Sequence, residues 1–286
     1  MRPLTIFYIL VVYVLLQLTW WAILLLQLAG PRWPMIAGEG FVFITLLLFG
    51  AYRMRMAFNK ERMVNRQQQN FLLSVTHELK SPLASIKLYL QTILKRDLDK
   101  EKQRSFLENS LQDIERLDDL VENMLLASKI ENGSYSYPKS MFSLSDLVWS
   151  LTERLEATTQ RKREIRTDIQ EHVELNGDRF AIGSMVNNLL ENAVKYSPAG
   201  SEIRVELHEA STGIVLRISD QGEGIPDEEK RKIFEKFYRS GDEHIRKTKG
   251  TGLGLFIVKE VADNHGAQVR VKNNKPSGCI FEIIFN

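Results

Sequence analysis

The sequence predicts a multidomain chain: two transmembrane helices, then a helical hairpin that forms a dimeric four-helix bundle, then an α/β sandwich. Three observations carry this. No charged residue occurs from Leu4 to Leu28, and Glu39 is the one charge from about Met35 to Tyr52. Two segments follow in which apolar residues recur three and four apart, the mark of a helix with one buried stripe. Beyond residue 143, amphipathic stretches mix with short alternating runs that read as strands, with helices segregated from them.

The chain has 286 residues, enough for about two soluble domains beside the membrane segments. Its domains are expected at 1–56 (transmembrane hairpin, helices about 4–28 and 35–52), 57–131 (helical hairpin), 132–143 (linker) and 144–286 (sandwich). The formal net charge of +2 gives no electrostatic support for direct nucleic-acid binding. The single Cys279 stands among apolar residues and reads as a buried structural thiol, and one cysteine makes neither an intrachain disulfide nor a zinc cluster.

A helix as long as Leu4–Leu28 outreaches the ~30 Å hydrocarbon layer. A cleaved signal peptide is the competing reading, but the apolar run is too long and a second span follows at once. "AGPRWP" separates the two, and Pro31 and Pro34 break the helix there. Arg53, Arg55, Lys60, Arg62 and Arg66 follow the second span and put that side in the cytoplasm, so both termini are cytoplasmic and the chain is multi-pass. Glu39 is either an intramembrane functional group or a headgroup-level residue.

In the first periodic segment Leu72, Val75, Leu79, Ile86, Leu90 and Ile93 form the stripe. "KRDLDKEK", residues 95–102, reads as a loop, and Leu107, Leu111, Ile114, Leu117, Val121 and Met124 form a second stripe. A hairpin alone leaves such faces exposed, so a homodimer is expected. His77 lies off the stripe and should face outward. Glu78 beside it can take a proton from one ring nitrogen and leave the other as a nucleophile. Ser81 lies one turn on along the same face. Pro82 removes a backbone hydrogen bond at a cost of roughly 3 kcal/mol and gives the helix a place to bend.

In the C-terminal part, helices are expected at 144–162 and from about 177 to 197, with Asp178 near the start of the second. Strands are expected at 164–169, 172–175, 203–209, 213–220, 267–274 and 278–286. Asn188, Asn192 and Lys195 share one helix face, where an asparagine carbonyl suits Mg²⁺ and a lysine suits phosphate. A plain polar face with a Glu191–Lys195 pair is the alternative. "DQGEGIP" places Asp220 at a strand end, able to accept from an exocyclic amine such as that of adenine, with Gly222 and Gly224 letting the backbone approach a ligand. Gly250, Gly252 and Gly254 open a helix, where backbone N–H groups suit phosphate.

"HELKSPLASI" resembles the phosphoacceptor box of bacterial sensor histidine kinases, and "LLASKIENG" fits the same family. The asparagine box, "DQGEGIP", "IFEKFYR" and "GTGLGLFIVKEV" together resemble the ATP-binding domain shared by histidine kinases, gyrase, Hsp90 and MutL. The resemblance covers about residues 65 to 286 and implies ATP and Mg²⁺. It makes His77 the residue phosphorylated from ATP and Glu78 its acid–base partner. Many members have threonine or asparagine where Ser81 stands, to orient water for dephosphorylating the partner, so response-regulator phosphatase activity is left open. Asn188 and Asn192 contact the nucleotide and Mg²⁺ by resemblance, with Asn192 the metal ligand. Lys195 and Tyr196 belong to that box, Asp220 reads adenine, and Phe234 and Phe237 anchor the segment over ATP, with Arg239 near its terminal phosphate. Residues 225–249 are the family's mobile lid. Gyrase-like ATPases carry a water-activating glutamate at the position of Asn188, and its absence favours transfer to a protein nucleophile. The implied partners are a second copy and the receiver domain of a separate response regulator. Input is expected from within the bacterial cytoplasmic membrane or from a membrane-embedded sensor or transporter.

Overall fold

The computed structural model describes residues 3–28, 33–158, 164–211, 213–239 and 250–286. The chain divides into two compact units, Met1–Gln69 and Asn70–Asn286.

In the first unit, helix α1 spans Pro3–Leu28, and helix α2 begins at Trp33 and runs to Lys95, past the unit boundary. Among the described residues one helix, α2, is long and apolar enough to cross a membrane. The fully described apolar part of α1, Val11–Leu25, is shorter, so two spans were expected and one meets the test. Glu39 is exposed in the first turns of α2. The helix continues through Pro82 rather than ending there.

In the second unit the rest of α2 pairs with helix α3, Lys100–Glu131. The intervening loop is shorter than expected, because Asp99 caps α3 by accepting from the Lys102 N–H at 2.8 Å. Tyr89 stacks on Phe106 between the two helices, with ring centroids 5.3 Å apart. The expected stripes are largely uncovered in the single chain. Val75 is buried, but Leu72, Leu90, Leu107, Leu111, Ile114 and Val121 stay exposed.

Residues 140–143, expected within the linker, form strand β1 (Ser140–Ser143), paired antiparallel with β3 (Glu174–Gly177). His172, expected in a strand, instead lies in a turn with φ 59°. Helix α4 spans Leu144–Thr158; the remainder of its expected length, 159–162, lies outside the described residues. Strands β2 (Glu164–Ile169), β4 (Glu202–Ala210), β5 (Gly213–Ser219), β6 (Gln268–Asn273) and β7 (Cys279–Phe285) make one sheet in the order β2-β4-β5-β7-β6. Among the described strands of this sheet, β2 and β4 run parallel and the other neighbours antiparallel. Helices α5 (Arg179–Tyr196) and α6 (Gly254–Asn264) complete the second layer with α4. Alternation decides the sheet faces: Ile203, Val205, Leu207, Leu216, Ile218, Phe281 and Ile283 enter the core. On the other face Glu282 is covered by Arg217 and Lys272, at 2.7 and 2.8 Å.

Asp178 is the N-cap of α5, with Oδ1 accepting from the N–H groups of Phe180 and Ala181. Its Oδ2 accepts from the Tyr135 hydroxyl at 2.7 Å, and its own N–H donates to Nε2 of His265. Nδ1 of His265 donates to the Val261 carbonyl, so both ring nitrogens are spent on the neutral form. Tyr137 meets the rings of Tyr135 and His265 edge-on, and Lys139 reaches the Asn264 carbonyl. The segment after α3 is therefore strapped to the ends of α5 and α6.

Burial lowers the pKa of His265 from its ordinary 6.5, with Lys139 adding to the effect and Asp178 opposing it. The unfolded chain then binds the proton more readily than the folded one. This contribution to stability is complete above about pH 6.5 and declines as pH falls below it. Melting temperatures measured from about pH 7 to 5 should show a decline that His265→Gln flattens.

Gly278 has φ 111°, and a Cβ there would collide with the Asp220 carbonyl. Gly266 has φ 67° with open space around it. Gly266→Ala should therefore cost about 1 kcal/mol, the left-handed penalty alone. Gly278→Ala should cost about 3 kcal/mol or more, since backbone must also move. Urea unfolding of the two variants checks the contrast.

Candidate functional site

α5, α6 and the turn after β5 bring together most of the residues singled out in the C-terminal part. Asp220 directly follows β5 and is buried, 6% exposed. Its Oδ1 accepts from the N–H groups of Gly222 at 2.8 Å and Cys279 at 3.2 Å. Its backbone is tied on both sides: its N–H donates to the Cys279 carbonyl, and its carbonyl accepts from Nδ2 of Asn274. Burial raises the carboxyl pKa, while the Gly222 and Cys279 N–H groups oppose that rise. The same burial pushes the Cys279 thiol up to about 11, so it is an inert structural cysteine, as expected.

Gly222 is required by close approach, since a Cβ there would lie 2.6 Å from the Tyr196 carbonyl at the end of α5. Gly224 has φ 82° and makes the turn. Along α5, Asn188 is buried, Asn192 and Lys195 are half-buried and Tyr196 is exposed. A Cβ on Gly254 would fall 2.6 Å from Oδ1 of Asn188, so that oxygen rests against the start of α6. The Asn192 amide spends itself on no protein partner among the described residues. Lys195 does not pair with Glu191, whose carboxylate accepts from Asn187 at 3.0 Å. Its Nζ lies 4.8 Å from the Tyr196 ring centroid and close against Gly250. The alternative reading of a Glu191–Lys195 surface pair is thereby corrected.

Phe234 sits in a short 3-10 turn, Lys232–Phe234. Phe237 has φ 65°, donates its N–H to the Gly252 carbonyl at 3.0 Å, and packs its ring, tilted by 31°, with its centroid 4.3 Å from that of Phe71 of α2. Nη1 of Arg239 reaches the Ser74 hydroxyl at 3.3 Å, and Lys236 pairs with Glu131. Arg239, expected near a terminal phosphate, thus reaches toward α2. Of the expected lid, residues 240–249 lie outside the described residues.

His77 is exposed on α2, with Glu78 half-buried and Ser81 exposed beside it. No hydrogen bond among the described residues joins Glu78 to His77, and none joins His77 to the cluster around Asp220.

The cradle suits a nucleotide on its own chemistry. It offers a buried acceptor at Asp220, an amide at Asn192 with no partner among the described residues, an ammonium at Lys195, and two places where a Cβ would intrude. Asn123 was missed by sequence reading. It lies on α3 next to Met124 of the expected stripe, and its Oδ1 accepts from both Ser184 and Asn188 of α5. Phe71 was missed as well, since nothing local distinguishes it from other apolar helix residues.

Residues 67–133 match the family model described as the His Kinase A (phospho-acceptor) domain. Residues 177–286 match the one described as histidine kinase-, DNA gyrase B-, and HSP90-like ATPase. The sensor-like histidine kinase SenX3 of Mycobacterium tuberculosis is 31% identical over 218 residues, 76% of this chain and 53% of that protein. The sensor protein KdpD of Clostridium acetobutylicum is 31% identical over 220 residues, 76% of this chain and 24% of that protein. The chain thus spans about half, or less, of these curated relatives. The solved mycobacterial sensor histidine kinase MprB is 32% identical, with 51% of this chain and 96% of that one covered and a TM-score of 0.46. Phospho-acceptor segment and ATPase segment follow one another here, and the chain belongs to the two-component sensor histidine kinases.

Proposed function

We propose that this chain is a membrane-bound sensor kinase that phosphorylates itself on His77 from ATP and passes the phosphoryl group to an aspartate of a response-regulator receiver domain. The observation that carries this is an exposed histidine in the same chain as a nucleotide-type cradle that has an amide, not a carboxylate, at position 188. Without a base at Asn188 to activate water, a protein nucleophile is the acceptor, and His77 supplies it.

In this reading Asp220 accepts from the adenine amine, with Gly222 and Gly224 shaping the pocket. Lys195 and the backbone at Gly250, Gly252 and Gly254 hold the phosphates, and Asn188 borders them. Mg²⁺, bound through Asn192, supplies charge neutralisation on the phosphate oxygens. The lone pair of one His77 ring nitrogen attacks the γ-phosphorus, the bond to the β–γ bridging oxygen breaks, and ADP leaves. Glu78 takes the proton that the other ring nitrogen sheds. Catalysis is then mostly positioning and charge neutralisation. No hydrogen bond among the described residues joins His77 to the cradle, so in this reading the ATPase domain moves relative to α2 to bring the γ-phosphate to the ring. Ser81 leaves phosphatase activity toward the receiver domain open.

Homodimerisation through α2 and α3 accounts for apolar residues that one chain leaves bare, such as Leu94 at 84% and Leu111 at 60% exposed. α1 is the first of two spans in this reading, with both termini cytoplasmic. α2 itself carries both an apolar stretch and His77, which supports input from within the bilayer or from a membrane-embedded partner.

The test is labelling of the full chain with γ-labelled ATP. A base-stable, acid-labile protein label is expected, as for phosphohistidine. ATP turnover without protein label would instead make this an ATPase.

A further inference from the structure

Asn188 is placed at the contact between α3, α5 and the start of α6. Its Nδ2 has acceptors at Asn123 Oδ1 (3.0 Å), the Ser184 carbonyl (2.8 Å) and Ser184 Oγ (3.4 Å). An amide nitrogen has two hydrogens, so both are committed to the protein. Asn123 Oδ1 is saturated in turn, because Ser184 Oγ also donates to it at 2.9 Å. What Asn188 shows to the start of α6 is its oxygen alone. In this arrangement it cannot donate to a phosphate. Yet Asn188 is 6% exposed, and a buried amide that gave up Asn123 would need another acceptor. A phosphate oxygen would be one.

We propose that Asn123 is a positioning residue: by holding the Asn188 amide it withholds a donor from the phosphates of a nucleoside triphosphate, so α3 and the triphosphate compete for Asn188. This rests on the ATP-binding reading above. Around this bond the hairpin and the ATPase layer also meet at Phe71 on Phe237 and Glu131 on Lys236, while Leu126 and Ala127 of α3 are buried. Filling the site therefore loosens α3 at Asn123, and docking of α3 weakens the nucleotide, by the same factor in both directions.

The test is the affinity of the full chain for Mg²⁺·AMPPNP, read by calorimetry, with melting temperature recorded for each variant. Asn123→Ala removes the competing acceptor and is expected to bind about three- to tenfold more tightly, the worth of one net hydrogen bond. Asn123→Asp keeps both bonds, strengthens them with charge and adds a negative group near the phosphates, so it is expected to bind more weakly by about threefold or more. A merely structural role would not move the two variants in opposite directions. An affinity indifferent to residue 123, or tighter binding by Asn123→Asp, overturns this inference alone. A wild-type chain that binds no nucleotide overturns the ATP-binding reading and this inference with it.

Discussion

His77→Gln is expected to abolish protein labelling from γ-labelled ATP while leaving AMPPNP affinity within about twofold of wild type. Glutamine matches histidine roughly in size and polarity but has no nucleophilic nitrogen, since its amide lone pair is delocalised into the carbonyl. His77 is exposed and makes no hydrogen bond among the described residues, so its removal leaves no buried partner unsatisfied. The helix should tolerate the change, because glutamine is among the better helix formers. Loss of label with intact binding separates the nucleophile from the cradle. Label that survives the substitution would place the phosphoryl group elsewhere and sink the proposed reaction.

Asp220→Asn should lower nucleotide affinity by about 100-fold with the fold retained. The carboxylate uses Oδ1 on the Gly222 and Cys279 N–H groups, and an asparagine oxygen can keep both. The amide nitrogen must then take the place of the second oxygen and present a donor where an exocyclic amine would also donate. Loss of a hydrogen bond to a charged acceptor costs roughly 1.5–3 kcal/mol, and an amide donor facing the adenine amine brings the loss toward the upper end of that range. About 2.8 kcal/mol corresponds to 100-fold. Equilibrium binding of AMPPNP with circular dichroism as the fold control measures it. Guanine or hypoxanthine nucleotides, which offer a carbonyl where adenine offers an amine, should lose less from the substitution or gain by it. Uniform loss across the three bases would remove Asp220 from base recognition.

The parts of the fold that read plainly are those in which local pattern and burial coincide. Asp178 ahead of an apolar helix is a cap in sequence and in structure. The runs at 203–209 and 213–220 alternate because one sheet face is core and the other charged, and they appear as β4 and β5. β1 was not legible: four residues after a Gly, Ser and Pro stretch become a strand only because β3 lies opposite them. His172 failed for a related reason, since a turn conformation with positive φ leaves no trace in hydrophobic periodicity.

Within the site, Asp220, Gly222, Gly224, Asn188 and Gly254 could be selected by residue type and order, because a tight turn or a helix start needs those types locally. Their partners could not be. Asn123 lies 65 residues from Asn188, and Phe71 is farther still from Phe237. Nor does spacing along one helix reveal that Lys195 turns to Gly250 and the Tyr196 ring rather than to Glu191.

The sequence alone determined the apolar N-terminal segments, the exposed histidine on a helix and the type of each group in the cradle, because these depend on periodicity and side-chain chemistry that neighbours a few residues apart specify. Only the tertiary structure decided that the cradle leans on α3 through Asn123, that the linker is strapped to His265 and Asp178, and that Arg239 reaches Ser74 of α2. Those contacts join segments distant in sequence, where a hydrogen bond of about 1 kcal/mol is set by packing geometry that no local pattern records.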